Sequence, residues 1–223
     1  MRIEARHVAP TATPSGLVLV AHDGPEYERV AGLSRRFPAE HVLLLAPGER
    51  NEWYSANPQY ATALVDILPA GPLVGLGASL GGLALLHAES QHPGTFAGLF
   101  LQSGSFFTAE LDPQEAGFPW YRRILAFVDT VGPVAAKTVL TCGRDEENLL
   151  NNRAMAGRLG APLVEIPGGH SMLTWRDALH PHLRHLLQEV TIGAPGRPAA
   201  RHGAGLAPRL RDPDRAAGPD HRP

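Results

Sequence analysis

The stretch Leu73-Val74-Gly75-Leu76-Gly77-Ala78-Ser79-Leu80-Gly81-Gly82 decides how the rest of the chain is read. Its first four residues form a short apolar run of the kind that makes a buried strand, and a helical pattern of apolar residues follows over Leu80–His92. Between them stands Gly-x-Ser-x-Gly, whose chemistry depends on that strand–turn–helix setting. A serine in so tight a turn has its hydroxyl lifted above the sheet edge. The turn needs residues without side chains at 77 and 81, where strand and helix approach one another. It also puts the Leu80 backbone N–H at a helix N-terminus, where it can face a developing oxyanion. The plainer alternative is a Gly/Ser-rich turn that caps a helix. The strand before and the helix after favour Ser79 as a nucleophile.

The same rhythm extends outward in both directions. Short apolar runs recur at Leu17–Ala21, Val42–Ala46, Gly98–Leu101, Thr138–Cys142 and Leu163–Ile166, continuous rather than alternating. That is how strands buried on both faces of a parallel sheet read. Helical patterns lie between and after them, over Tyr27–Phe37, Pro58–Leu68, Pro119–Val131, Glu146–Leu159 and Ala178–Val190. The alternation predicts an α/β fold, a mostly parallel sheet with helices on both faces. In such a fold chemistry gathers beyond the carboxyl ends of the strands.

Composition sets the limits within which that fold must work. The chain has 223 residues, 43% of them apolar, enough for a real core. Its 20 basic and 22 acidic residues leave a net charge of -2, which argues against a dedicated nucleic-acid binder or a polybasic membrane protein. Cys142 is the single cysteine, so neither an intrachain disulfide nor a Cys-rich zinc site is expected. No apolar run approaches the ~18 residues of a membrane span. Met1–His7 has no apolar signal core, so a cytoplasmic location is expected.

Composition shifts near residue 191. Residues 191–223 hold six Pro, five Gly, seven Ala and six Arg, with almost no large apolar side chain. Such a stretch cannot bury enough surface to offset the entropy of ordering it, so the expected organisation is a folded domain over 1–190 and a disordered tail over 191–223. The tail carries six Arg and three Asp, while 1–190 carries 14 basic and 19 acidic residues.

A serine nucleophile needs a base. The last apolar run ends in Ile166-Pro167-Gly168-Gly169-His170, which puts His170 on a loop tip just after a predicted strand. The chain order Ser…acid…His of this architecture then requires an acid between them. The run before His170 ends in Gly143-Arg144-Asp145-Glu146-Glu147, three adjacent carboxylates. Acids favoured by a helix N-terminus account for some of them, and one can orient His170. After the first long run come His22-Asp23-Gly24-Pro25. His22 and Asp23 could be read as a catalytic pair, but chain order disfavours that, and they fit better as shapers of a tight turn. That loop lies where the second oxyanion donor is expected. His180, His182 and His185 match no zinc motif and read as a solvated helix face, so no metal site is expected. Cys142 reads as a small buried residue.

Together these pieces resemble the enterochelin-esterase-like branch of the α/β-hydrolases. The matches are His22-Asp23-Gly24, Arg50…Tyr54-Ser55…Asn57, Gly77–Gly82, Gln102-Ser103-Gly104-Ser105-Phe106, Gly143…Glu146…Asn152 and Gly169-His170…Trp175-Arg176…Leu179. The resemblance implies an α/β-hydrolase fold, with Ser79 as nucleophile, His170 as base and an acid in the Gly143–Asn148 loop. Spacing from Gly143 favours Glu146, with Asp145 and Glu147 as alternatives. The chain departs from the pattern in two places. Only 16 residues precede Leu17, so the sheet is trimmed at its N-terminal edge, with at most one strand over Arg2–Val8. Pro25 stands where related enzymes often use a backbone N–H as oxyanion donor, and proline has none. The Asp23 or Gly24 amide must then serve, or the loop is rearranged.

The expected activity is hydrolysis of a carboxylic ester or thioester through an acyl-enzyme, without cofactor or metal, on a small-molecule ester substrate. The alternatives are acyl transfer to an alcohol and a catalytically silent binding protein on the same fold. Phe106, Phe107, Phe118, Trp120 and Tyr121, with Trp53 and Tyr54, are candidates for pocket walls and equally for ordinary core.

Overall fold

The computed structural model describes residues 2–193. Within them, seven strands form one sheet: β1 Ala5–Val8, β2 Val18–Ala21, β3 His41–Leu45, β4 Leu73–Ala78, β5 Gly98–Gln102, β6 Lys137–Gly143 and β7 Leu163–Ile166. The order across the sheet is β1-β3-β2-β4-β5-β6-β7. All pairings are parallel except β1 with β3. The single strand expected over Arg2–Val8 is present as β1, and it runs antiparallel.

Alternation along the strands explains the continuous apolar runs. Val18, Val20, Leu43 and Leu45 join one buried cluster, while Leu17, Leu19, Ala21, Val42 and Leu44 join another on the opposite face. Successive side chains point to opposite faces, and both faces are covered, so the runs read as continuously apolar. Each Val or Leu so buried contributes about 1.5–3 kcal/mol.

The helices are α1 Gly24–Glu26, α2 Leu33–Arg36, α3 Arg50–Tyr54, α4 Pro58–Ile67, α5 Leu80–Gln91, α6 Tyr121–Thr130, α7 Leu149–Leu159, α8 Met172–Ala178 and α9 Arg184–Gly193. Helix α5 follows β4 directly and is buried all round from Leu80 to Glu89. A helix with no polar face belongs in the interior, so α5 is the internal post on which the elbow stands. Its one buried acid, Glu89, is satisfied by the Gly94 and Phe96 N–H groups at 2.9 Å each.

Three helical stretches differ from the sequence reading. Tyr27–Phe37 is not one helix. A wide helical turn over Tyr27–Ala31 ends at Gly32, whose φ of 58° is left-handed, and α2 starts anew beyond it. The helix expected from Glu146 begins three residues later, at Leu149, which leaves Glu146 on the preceding loop. The helix expected over Ala178–Val190 is broken at His180-Pro181, where proline lacks the N–H that a continuous helix needs. The last helix runs to Gly193, past the composition boundary at 190. The rest of the expected tail, 194–223, lies outside the described residues.

Candidate active site

Ser79 occupies the turn between β4 and α5 with φ 56° and ψ -126°, a left-handed backbone that a residue with a side chain adopts only under constraint. Several contacts impose it. The Ser79 N–H donates to the Gln102 carbonyl (2.9 Å), and the Ser79 carbonyl accepts from the Gly82, Leu83 and Ser105 N–H groups (3.1, 3.2 and 3.2 Å). Strand and helix pack so closely that a Cβ on Gly77 would lie 2.6 Å from the Gly81 carbonyl carbon. The Leu80 N–H, at the start of α5, has no acceptor among the described residues.

Of the three adjacent acids, only Glu146 turns inward; Asp145 and Glu147 are exposed. One Glu146 oxygen, Oε2, lies 2.8 Å from His170 Nδ1. The other, Oε1, accepts from the Ser103 hydroxyl at 2.7 Å and from the Gly143 N–H at 2.8 Å. Burial alone would push this carboxyl's pKa up, but the bonds from His170, Ser103 and Gly143 outweigh it and hold the group below the usual carboxylate range. A carboxylate only accepts, so His170 carries a proton on Nδ1, and Nε2 is the nitrogen left for another partner. The His170 side chain is 44% exposed, consistent with its place on a loop after β7.

The structure thus joins Glu146 to His170. It does not join His170 to Ser79 by a hydrogen bond: among the described residues the Ser79 hydroxyl bonds to Ser105 Oγ at 3.2 Å. Ser79, Glu146 and His170 nonetheless all follow carboxyl ends of parallel strands, β4, β6 and β7.

The loop after β2 lies on the other side of the elbow. Asp23 is left-handed, with φ 51°, and its carbonyl accepts from the Glu26 and Tyr27 N–H groups at 3.0 and 3.2 Å. The Glu26 amide is thereby used in the turn. The Asp23 and Gly24 amides have no backbone acceptor among the described residues, so they are the two donors this loop can offer beside Pro25. The Asp23 carboxylate is held by Arg50 at 2.9–3.1 Å, which locks the loop to α3. Beneath it, His22 is fully buried with Nε2 2.7 Å from the Tyr60 hydroxyl. Burial, with the Arg50 charge adding to it, lowers the His22 pKa to about 3, so this imidazole is neutral. It serves as a turn-supporting residue, not as a base.

A cavity of about 370 Å³ is lined by Asp23, Pro25, Glu26, Pro47, Arg50, Met172 and Trp175; none of Ser79, Glu146 and His170 lines it. Of the aromatic wall candidates, Tyr54 and Phe106 are fully buried core. Trp120 stacks on Arg123, with 4.4 Å between guanidinium and ring, and lines a second opening with Arg50. Cys142 is fully buried, and burial, with the nearby Glu146 charge, pushes its thiol up to about 12, which makes it unreactive. His180 stacks on Phe37 with ring centroids 5.1 Å apart. No cluster of three or more metal-ligating side chains occurs among the described residues. No described helix is long and apolar enough to cross a membrane.

Ser103, Trp175, Ser105 and Tyr60 carry no role in the local sequence pattern, yet all four contact the candidate site or its support. Their partners lie 43, 72, 26 and 38 residues away in the chain. A local pattern carries no trace of such pairings.

No protein-family model and no curated protein matches the sequence. Solved structures do. The chain is similar to the enterochelin esterase of Shigella flexneri, with TM-score 0.63 and 21% identity over 84% of this chain and 55% of that one. It is similar to the S-formylglutathione hydrolase of Staphylococcus aureus, with TM-score 0.53 and 16% identity over 81% and 83% of the two chains. It is also similar to the monoacylglycerol lipase of Paleococcus ferrophilus, with TM-score 0.58 and 13% identity over 86% and 99%. The chain spans about half the length of the enterochelin esterase. At these identities the likeness establishes the α/β-hydrolase fold.

Proposed function

We propose that this protein is a serine hydrolase of carboxylic esters or thioesters. Ser79 is the nucleophile, His170 the base and Glu146 the acid that orients it. The observation that carries the reading is the strained Ser79 turn, φ 56°, on the same sheet edge as a buried Glu146 paired with a solvent-accessible His170. The structural neighbours add support, since an esterase, a hydrolase and a lipase share the fold. Fold alone does not carry function, so the weight rests on the residues.

The chemistry has two steps. When an ester is bound against the Ser79 turn, the Ser79 hydroxyl leaves Ser105 for the imidazole, as catalytic hydrogen bonds tighten only with substrate bound. His170 Nε2 takes the Ser79 proton as the oxygen attacks the carbonyl carbon. The oxyanion rests on the Leu80 N–H and on the Asp23 or Gly24 amide, and the imidazolium returns its proton to the leaving alcohol or thiol. Water, deprotonated by the same imidazole, then releases the acid and restores Ser79. The buried, ionised Glu146 stabilises the imidazolium in both steps.

A catalytically silent protein is the second reading, favoured by the Ser79–Ser105 bond standing in place of a Ser79–His170 bond. One experiment separates the two. A fluorophosphonate probe and a panel of p-nitrophenyl esters and thioesters are applied to wild type and Ser79→Ala. Covalent labelling and hydrolysis that both vanish in Ser79→Ala support the hydrolase. Hydrolysis that persists in that variant, or a wild type that neither labels nor hydrolyses, sinks it. Product analysis with added alcohols distinguishes hydrolysis from acyl transfer.

A further inference from the structure

We infer that Trp175 and Ser103 are positioning residues, which complete with Glu146 a closed chain of contacts that orients the His170 imidazole. The inference rests on the proposed roles of Glu146 and His170. The Ser103 hydroxyl lies 2.9 Å from Trp175 Nε1 and 2.7 Å from Glu146 Oε1. An indole N–H only donates and a carboxylate only accepts, while a hydroxyl has one proton to give. One assignment satisfies all three. Trp175 donates to Ser103, and Ser103 gives its only proton to Glu146. With the Gly143 N–H also on Oε1, that oxygen is committed, and Oε2 is left to the His170 Nδ1–H. The chain then closes on itself, because the Trp175 ring meets the His170 ring edge-to-face, with centroids 5.0 Å apart and planes at 86°.

The surrounding structure supports a device more than a chance contact. Ser103 is fully buried and left-handed, with φ 46°, a cost that a merely space-filling serine has no need to bear. Its backbone is clamped: its N–H donates to the Thr141 carbonyl at 2.7 Å, and its carbonyl accepts from Asn148 Nδ2 at 3.0 Å. Trp175 is pinned at a second point, where its carbonyl accepts from Gln102 Nε2 at 2.9 Å. Gln102 in turn accepts from the fully buried Tyr27 hydroxyl at 2.7 Å. Gln102 and Ser103 are adjacent at the end of β5, so both anchors of Trp175 sit on one strand end. His170 precedes α8 and Trp175 lies within it. The end of β5 therefore fixes the helix that follows the base and the acid that orients it, through neighbouring residues.

The test uses Trp175→Phe, which keeps an aromatic ring beside His170 and deletes the N–H, and Ser103→Ala, which keeps a Cβ at the left-handed position and deletes the hydroxyl. The first readout is the long-range ¹H–¹⁵N spectrum of the histidines in the folded protein, with His170 assigned by its loss in His170→Ala. Wild type should show His170 protonated on Nδ1, and each variant should populate the Nε2–H tautomer. The second is steady-state hydrolysis, where kcat should fall about 10-fold with KM nearly unchanged. The double variant should be little worse than the worse single, since the groups act as one chain. A His170 tautomer unchanged in both variants overturns the inference, and so do fully multiplicative losses in the double variant. If Ser103→Ala does not fold, Trp175→Phe decides alone. If wild type neither labels nor hydrolyses, the proposed hydrolase falls, while the tautomer spectrum still decides the chain.

Discussion

Glu146 and His22 are both buried polar side chains close to the elbow, one on each side of it, and they are held in different ways. Glu146 is ionised, and both its oxygens are filled, by Ser103 and Gly143 on Oε1 and by His170 on Oε2. His22 is neutral. Its Nε2 meets the Tyr60 hydroxyl, but its Nδ1 and the adjacent Tyr54 hydroxyl have no hydrogen-bond partner among the described residues. The His22 ring instead packs edge-on against Tyr54, with centroids 4.7 Å apart. A buried charge demands directed donors, because leaving it bare costs several kcal/mol. A neutral imidazole can be held by shape. Hydrogen bonds therefore position Glu146, whereas packing is the main hold on His22; the loop above His22 is tied separately by the Asp23–Arg50 pair.

That contrast can be broken from either side. The largest effect is expected at Glu146→Gln, which preserves shape but puts an amide beside the imidazole and favours the wrong tautomer. Hydrolysis should fall on the order of 10³–10⁴-fold, with fluorophosphonate labelling of Ser79 slowed in parallel. Gly24→Ala attacks the packed side. The new Cβ would lie 2.5 Å from Leu44 Cα, a clash with backbone that cannot swing away. It should cost about 3 kcal/mol in urea unfolding and also lower kcat, because the loop carrying the Asp23 and Gly24 amides must lift off β3. If kcat drops with no loss of stability, packing does not hold that loop.

Tyr60→Phe removes the one hydrogen bond that the His22 imidazole makes. It should destabilise the fold by about 2 kcal/mol while moving kcat less than Glu146→Gln does, which chemical denaturation and ester hydrolysis together would show. The last effect is a slope with pH rather than a single loss. The unfolded His22 imidazole takes a proton near pH 6.5, but the folded one only near pH 3, so between those values the unfolded chain binds the extra proton. His22 leaves stability untouched above about pH 6.5, and stability falls as the pH drops from there towards 3, on the order of 1 kcal/mol per pH unit. His22→Phe should make this slope shallower by about one proton in urea unfolding between pH 4 and 6. His87, lowered to about 4 by burial and by Arg123, supplies a remaining part. An unchanged slope in His22→Phe contradicts a neutral, buried His22.

The elbow was legible in the sequence because everything it needs is local: an apolar run, two glycines, a serine and an apolar helix within 20 residues of chain, Leu73–His92. His170 was legible by chain order and by its place after the last run. The acid was narrowed to three neighbours. Glu146 was preferred only through the family resemblance, since the spacing of side chains along a loop does not say which one turns inward. Helix ends were misread where a single residue breaks the pattern, at Gly32 and at His180-Pro181. Apolar spacing reports a helical face, not the continuity of the backbone beneath it.

By itself, the sequence determined the parallel sheet and the strained serine turn, because strand burial, helix periodicity and glycine sterics act over a few residues. The tertiary structure decided which acid meets His170, which amides remain free beside Pro25, and what holds both sides of the elbow in place. Those outcomes depend on burial and on donors that reach across the sheet from β5 and α8. Ser103 and Trp175 are 72 residues apart in the chain and 2.9 Å apart in space. Only the folded core brings such groups together and removes the water that would otherwise satisfy them.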